Sequence, residues 1–320
     1  MRMSSRAPRT GYLGGMDERL DRLCRALDSV LLGKGDAVRT LVAAVLAEGH
    51  VLLEDVPGTG KTTLAKALAR LVGADFRRVQ FTPDLLPTDL TGGAVFRPGS
   101  GEFEIRPGPV FANVFLADEI NRASPRTQSA LLEAMEEGQV SLEGRSLPLP
   151  KPFLVLATQN PVEFHGVFPL PEAQMDRFLI RLELGYPDAA TERRLLVERP
   201  VPSIDSLVPV LDLEGLRALQ ETSKNIHLDP ELAGYAVALA RATREHPAVR
   251  LGISPRGTQA LVRMARSLAL LAGRDHVLPD DIQAALVPVF AHRLPLRDAG
   301  GIEAVRALLS GLLRQVDIPA

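Results

Sequence analysis

The sequence predicts an α/β fold in which a parallel sheet lies between helices, followed by a second domain that is all-helical. Two observations lead to this prediction. Short apolar runs alternate with helical segments up to residue 186, and the first run leads into a glycine loop that opens a helix. Beyond the Gly-Tyr-Pro-Asp boundary at 185–188 only helical periodicity is found.

The elements of the first domain follow from these patterns in order. Helices are predicted over 17–31, 36–48, from Lys61 onward, from Ser124 to Gly138, and over 171–175. The predicted strands are residues 51–53, 76–81, 114–119, 153–157 and 179–184. The backbone around Leu32 and Gly33 is either part of an adenine pocket or a plain turn between helices.

Two hairpins are also predicted. After residue 82 the chain is expected to be irregular, and two short alternating runs then flank a Pro-Gly-Ser-Gly turn at 94–106. A second hairpin turns at Glu143-Gly144 within 140–147. The first hairpin interrupts a short connection between strands, so it is either a contact or pore element or a merely exposed loop.

Composition limits the range of functions. The chain has 320 residues, which is enough for about two domains, and a net charge of −2, so no global basic field attracts nucleic acid. The one cysteine, Cys24, excludes an internal disulfide and a cysteine-based zinc site. The six histidines are scattered, so a metal site built from them is not expected, and His165 is interpreted as a solvated loop residue.

The N-terminal segment and the length of the apolar runs indicate where in the cell the protein is expected. No apolar run approaches the ~18 residues that a membrane span needs. Residues 1–15 carry three arginines but lack the apolar stretch of a signal peptide. We therefore expect a cytoplasmic protein with a disordered tail at 1–15, and Met16 is an alternative start.

The segment 50–63 predicts a phosphate-binding loop. Its candidate ligand-binding residues are Pro57, Gly58, Thr59, Gly60, Lys61, Thr62 and Thr63. Glycines allow successive backbone N–H groups to point at one place, and the helix that follows adds unpaired donors and the positive end of its dipole. Lys61 is expected on the β- and γ-phosphates of a nucleotide, and Thr62 presents its hydroxyl to Mg²⁺. The general pattern has glycine where this chain has Asp55, which we interpret as a turn cap that points away from the phosphates.

The strand at 114–119 ends in two carboxylates. Asp118 is placed to hold the Mg²⁺ shell, and Glu119 to polarise a water for in-line attack on a γ-phosphate. An acidic helix cap is the alternative interpretation. The order of the motifs, with the phosphate loop first and the acidic strand second, favours catalysis.

Two further polar residues are candidates for the first domain's chemistry. Asn160 follows the strand at 153–157 and can hydrogen-bond the γ-phosphate or the attacking water, although asparagine before proline also forms simple turns. Arg177 follows the helix at 171–175, beside the active edge of the sheet. It either pairs with Asp176 or supplies charge to the γ-phosphate of a neighbouring subunit, a role for which Arg122 and Arg126 compete.

The second domain is predicted from helical periodicity alone. Its helices are expected at 189–197, 213–224, 230–245, 255–272, 280–287 and 302–315. Arg256 lies in the opening turn of the fourth of these helices, where the dipole favours anions instead. The arginine therefore calls for an anionic partner, either nucleotide phosphate beneath a helical lid or, as the alternative, no specific partner at the surface.

Together these motifs resemble those of the AAA+ ATPases, and the residues within each motif are similar to those of the MoxR family. The motifs are GHVLLEDVPGTGKT at 49–62, FTPDLLP at 81–87, RPGP at 106–109, LADEINRA at 116–123, ATQNP at 157–161 and PEAQMDRF at 171–178. The resemblance covers nearly everything from Asp17 onward. Asp55 is what this family commonly shows.

The resemblance implies an AAA+ domain with a five-stranded parallel sheet over 16–186 and a helical lid domain over 187–320. It implies a ring, typically a hexamer, that binds ATP and Mg²⁺ between subunits. By residue it implies phosphate and metal binding by Lys61 and Thr62, the metal-shell and catalytic pair Asp118 and Glu119, the first sensor Asn160, the trans arginine finger Arg177 and the second sensor Arg256.

The resemblance also implies a function. Relatives act as chaperone-like remodelers that mature other proteins or insert cofactors into them, often with a von Willebrand factor A-domain partner. Two alternatives remain open from the residues. One is a DNA-dependent motor, because both hairpins carry arginines (Arg97, Arg106 and Arg145) although no dense basic stripe is present. The other is a nucleotide-switched scaffold that hardly hydrolyses.

Overall fold

A computed structural model describes residues 17–56, 58–99, 101–160, 167–197, 202–298 and 300–319. The expected tail at 1–15, the alternative start Met16, the loop residue Pro57 and His165 lie outside these ranges. Within them, no helix combines the length and the apolar character that crossing a bilayer requires.

The described helices and strands follow the predicted order closely. The helices are α1 (Glu18–Val30), α2 (Gly35–Leu46), α3 (Lys61–Leu71), α4 (Pro87–Thr91), α5 (Pro125–Glu137), α6 (Glu172–Met175), α7 (Ala189–Val197), α8 (Leu213–Lys224), α9 (Pro230–Glu245), α10 (Pro255–Leu271), α11 (Pro279–Phe290) and α12 (Ile302–Gln315). The strands are β1 (Val51–Glu54), β2 (Phe76–Gln80), β3 (Gly92–Arg97), β4 (Glu102–Pro107), β5 (Val114–Asp118), β6 (Gln139–Leu142), β7 (Arg145–Pro148), β8 (Leu154–Gln159) and β9 (Ile180–Leu182).

Five strands form one sheet in the order β2-β5-β8-β1-β9. Its four pairs are all parallel, which confirms the predicted fold class. Strands β1, β5 and β8 are buried along almost their whole length, as expected for apolar runs that are covered by helices on both faces. We call the edge where these strands end the carboxyl edge and the opposite edge the amino edge. The carboxyl edge is where side chains from different strands can meet in one cleft.

Local signals fixed the helix ends. The Ser124 side chain accepts the Thr127 N–H at the start of α5, and Gly138 ends that helix in a left-handed conformation. The Ser254 side chain caps α10 in the same way by accepting from Gly257. These caps confirm the predicted helix starts.

Two regions differ from the expectations. The segment expected to be irregular after residue 82 contains the short helix α4, which has Pro87 at its first position and Asp89 accepting the Leu86 N–H at 2.9 Å. Helix α11 continues to Phe290, past Pro288 and past the predicted end at 287. Helix α4 is too short to show an apolar period. The apolar period of α11 continues through Val289 and Phe290, so Pro288 does not end that helix.

Both predicted hairpins are present as separate two-stranded sheets, β3–β4 and β6–β7. In the first, Phe96 lies opposite Phe103 with ring centroids 5.3 Å apart. Phe103 is 71% exposed and Phe96 is 51% exposed. The two aromatic rings therefore form an exposed apolar patch on this hairpin.

A buried arginine links the helical part of the chain to the sheet. The Arg293 side chain is only 4% exposed and lies 2.6 Å from Asp176 Oδ1, just before β9. It also donates to the carbonyl oxygens of Asp176, Phe178 and Leu179. Ser254, at the start of α10, reaches the other Asp176 oxygen at 3.3 Å. A buried charge with this many acceptors favours one orientation of the helices against the sheet.

A partly buried histidine at the amino edge is expected to make stability depend on pH. His50 Nδ1 accepts the Val155 N–H at 3.0 Å and Nε2 faces Met135 O at 3.1 Å. Burial lowers the pKa of His50 to about 4 from its ordinary value of 6.5. Between these two values the unfolded chain binds a proton that the folded chain does not, so the free energy of unfolding falls as the pH falls.

We therefore expect the unfolding free energy to decrease by about 1.4 kcal/mol per pH unit through His50 alone as the pH drops from 6.5 towards 4. Replacing His50 with Gln, which can still accept and donate, removes this contribution and flattens the profile. Urea titrations of both proteins between pH 5 and pH 7.5 measure the two slopes. Equal slopes would contradict the assignment.

Candidate nucleotide site

A cavity of about 350 Å³ opens at the carboxyl edge, between the loop after β1 and the ends of β5 and β8. Its lining residues are Gly58, Gly60, Lys61, Thr62, Thr63, Asp118, Glu119, Thr158, Gln159 and Asn160. The cavity therefore brings together most of the residues that the sequence singled out for phosphate, metal and water. Thr59 lies in the same loop, where its hydroxyl donates to Val56 O at 3.3 Å.

The loop needs glycine for two reasons. Gly58 and Gly60 have φ values of 86° and 96°, in the left-handed region that side chains rarely adopt. A Cβ on Gly60 would also lie 2.7 Å from Leu31 Cδ1. Helix α3 begins immediately afterwards, at Lys61, so its free N–H groups face the cavity.

The Lys61 ammonium is held against the loop. Its Nζ donates to Asp55 O at 2.7 Å and to Val56 O at 2.9 Å. Burial lowers the pKa of Lys61, while Asp55, Asp118 and Glu119 act in the opposite direction. The cation thus lies between backbone carbonyls and the acidic side of the cavity.

Asp55 points away from the cavity, as expected, and reaches beyond a local turn. One carboxylate oxygen accepts from Val56 N at 2.8 Å, and the other accepts from Leu184 N at 2.9 Å and Gly185 N at 2.7 Å. The side chain is buried. It ties the start of the phosphate loop to the chain that leaves β9 for the helical region.

Thr158 fixes the two acidic residues. Its hydroxyl donates to Asp118 Oδ1 at 2.6 Å and accepts from Glu119 N at 2.8 Å. Glu119 has a φ of 57°, which is uncommon for a residue other than glycine. Residues in such strained backbone conformations cluster at functional sites. Thr158 is not among the predicted site residues, although a polar residue within the otherwise apolar, buried β8 is a signal for it.

Further partners of the acidic pair come from β2 and from the 3₁₀ turn Ile120–Arg122. Glu119 Oε2 accepts from Gln80 Nε2 at 2.8 Å and from Arg122 Nη1 at 2.9 Å. Asp118 Oδ2 accepts from Arg78 Nη2 at 2.7 Å. In the sheet Gln80 pairs with Asp118, a register that requires the strand order and is not readable from local sequence.

The donor set fits Mg²⁺ held together with phosphate. The Thr62 hydroxyl and the Asp118 carboxylate are hard oxygen ligands that line one cavity. Among the described residues no cluster of three or more His, Cys, Asp or Glu side chains could hold a metal without other ligands. The ion would therefore need oxygens from phosphates and water, as Mg²⁺ in nucleotide sites does. Asn160 is buried at the wall of the same cavity.

Arg177 and Arg256 are placed differently from the expectation. Arg177 Nε lies 2.9 Å from Glu136 Oε2, and Arg256 Nη1 lies 2.7 Å from Glu136 Oε1. Glu136 lines a second cavity, of about 370 Å³, together with His50 and Phe153, which precede β1 and β8. Both arginines therefore lie at the amino edge, away from the cavity at the carboxyl edge.

Two parts of the sequence interpretation are corrected by this placement. Arg177 is not beside the active edge of its own sheet, because it precedes β9, and it does not pair with Asp176, which binds Arg293 instead. Arg256 does not lie over its own phosphate loop, because Ser254 anchors the start of α10 to Asp176. Of the competing arginines, Arg122 pairs with Glu119 in the same chain and Arg126 is exposed on α5.

Comparison with known proteins agrees with the fold. The sequence model of the ATPase family associated with various cellular activities (AAA) matches residues 50–180, and that of the AAA lid domain matches residues 241–307. These matches, with the phosphate loop and the acidic strand end, define an AAA+ ATPase.

Full-length relatives narrow the class. The chain is 44% identical to Chaperone MoxR1 of Mycobacterium tuberculosis, over 87% of this chain and 76% of that protein. It is 47% identical to the uncharacterized protein YeaC of Bacillus subtilis, over 94% and 95% of the two chains. The crystal structure of a candidate ATPase from Cytophaga hutchinsonii superposes with a TM-score of 0.85 at 35% identity, covering 95% of this chain and 96% of that one. The chain belongs to the MoxR family of AAA+ ATPases.

The contacts of Thr158 lead to a test of the site. Replacing Thr158 with Val keeps its shape but removes the hydroxyl that Asp118 and Glu119 share. We expect kcat for ATP hydrolysis to fall by about 10- to 100-fold while ATP still binds, because only the acidic pair loses its support. Thr158→Ser retains the hydroxyl and is the matched control. Equal kcat values for the two variants would contradict this role.

Proposed function

We propose that this protein is a Mg²⁺-dependent ATPase that assembles into a ring, a hexamer, and uses hydrolysis to remodel or mature partner proteins. The observation that carries the proposal is the division of its functional residues between the two edges of the sheet. The residues proposed to bind phosphate, Mg²⁺ and the attacking water line a cavity at the carboxyl edge. The two arginines lie at the amino edge.

This division supports assembly. Arginines that stabilise a γ-phosphate must reach it, and these two are on the wrong side of their own sheet. A second copy that stacks its carboxyl edge on this amino edge brings its nucleotide to both arginines. Repetition of such a head-to-tail contact closes into a ring when the rotation between copies permits. In this proposal Arg177 and Arg256 both serve the neighbouring subunit, which differs from the cis role first expected of Arg256.

The residues of the cavity have separate tasks in the proposed reaction. Glu119 accepts a proton from the attacking water, whose oxygen bonds to the γ-phosphorus as the bond to the ADP oxygen breaks. Gln80 and Arg122 orient the Glu119 carboxylate. Lys61 and the loop N–H groups hold the phosphates, and Asn160 orients the water or the γ-phosphate. Thr62 and Asp118 would hold Mg²⁺, which when bound would neutralise charge on the phosphates.

The remodelling part rests on two supports. One is similarity to Chaperone MoxR1, whose name describes that relative. The other is the exposed Phe96–Phe103 pair on the β3–β4 hairpin, which suits an apolar polypeptide better than a nucleic acid backbone. A von Willebrand factor A-domain partner, a cytoplasmic location and a domain division at 186/187 complete the proposal, and they follow from the family resemblance and the sequence.

The test uses Glu119→Gln, which is expected to bind ATP but to turn it over at least about 100-fold more slowly, because the general base is lost. Loaded with ATP, this variant should retain partner proteins from native lysate. The same variant carrying Phe103→Ala should lose them, and Val208→Ala, at another exposed apolar residue, should not.

Three results would contradict the proposal. Recovery of nuclease-sensitive DNA complexes, with DNA-stimulated hydrolysis by the wild-type chain, would support the motor. Unchanged turnover in Glu119→Gln would support the scaffold. Equal capture of partner proteins by Glu119→Gln with and without Phe103→Ala would show that the hairpin does not contact them.

A further inference from the structure

Two arginines from different parts of the chain meet on one carboxylate. Arg177 comes from the segment between α6 and β9, and Arg256 from the first turn of α10. Each takes a different oxygen of Glu136, at 2.9 Å and 2.7 Å respectively. Glu136 lies near the end of α5, so a single side chain joins three elements at the amino edge.

The carboxylate offsets a repulsion. Two guanidinium groups within reach of one carboxylate are like charges at close range, and a negative charge between them lowers the energy of keeping them together. Asp176, the residue before Arg177, is occupied by Arg293 and Ser254. Among the described contacts, Glu136 is thus the counter-ion of this pair.

The arrangement leaves donors available. A guanidinium has five N–H groups in a fixed plane, so one contact with Glu136 orients the plane and leaves other N–H groups to bind an anion. The Arg177 side chain is 28% exposed and that of Arg256 is 50% exposed. The hydrogen bond from Arg256, above all, lowers the pKa of Glu136, so its carboxylate is charged at neutral pH.

We propose that Glu136 is a positioning residue, which holds Arg177 and Arg256 in the orientation that receives the γ-phosphate of ATP bound to a second copy of this chain. Glu136 does not contact the nucleotide and acts through the two guanidinium groups. The inference rests on the proposed function, because it takes both arginines to serve the neighbouring cavity.

The first test is Glu136→Gln, which keeps the size of the side chain and removes its charge. We expect kcat to fall at least about 10-fold with KM for ATP changed less than about threefold, because the arginines are misplaced while the cavity of the same chain is intact. Glu137→Gln, at the adjacent exposed glutamate of α5, is the matched control and should keep the wild-type kcat. An unchanged or increased kcat in Glu136→Gln would overturn the inference.

A second test separates positioning from damage to the fold. Glu136→Gln subunits keep a complete cavity, whereas Lys61→Ala subunits keep a complete set of arginines. Mixed rings should therefore recover hydrolysis at each contact where a Lys61→Ala subunit presents its arginines to a Glu136→Gln cavity. A misfolded variant could not be rescued in this way.

The reference mixture is Arg177→Ala with Lys61→Ala. Recovery in the reference but not in the Glu136→Gln mixture would overturn the role of Glu136 and leave the proposed function standing. Failure of both mixtures would overturn the trans arrangement and, with it, the inference. Recovery in both is the result that we expect.

Discussion

The buried Arg293 guanidinium is the interaction on which the rest of the arrangement depends. It carries a charge from the helical region into the start of β9, where Asp176 and three backbone carbonyls accept its N–H groups. Removing one partner of a buried ion pair typically costs about 3–5 kcal/mol, so this contact strongly favours one orientation of the helices relative to the sheet. In that orientation Arg256 lies beside Arg177 and away from the phosphate loop.

The sheet then divides the chemistry in two. Parallel strands collect Lys61, Asp118 and Asn160 at one edge, and the crossover helices return the chain to the other. Asp55 links the phosphate loop to the outgoing chain at Leu184 and Gly185, so the loop and the path to the helices share one carboxylate. In the proposed ring, each copy would therefore carry one half of an ATPase centre at each edge.

Local sequence was sufficient for the parts that short segments determine. The strand, glycine loop and helix around Lys61, the caps at Ser124 and Ser254 and the acidic end of β5 depend on neighbours in the chain. Gln80 could not be found, because its contact with Glu119 requires the order of the strands. The position of Arg256 could not be predicted either, because it depends on the contact between Arg293 and Asp176, which are 117 residues apart in the sequence.

The most direct test of this account is the dependence of turnover on assembly. ATP hydrolysis per chain should be measured across a dilution series in which analytical ultracentrifugation reports the population of each oligomer. The account predicts that turnover per chain falls in step with the oligomer, because a monomer lacks the arginines of a neighbour at its cavity. Constant turnover per chain down to concentrations at which only monomer is present would contradict it.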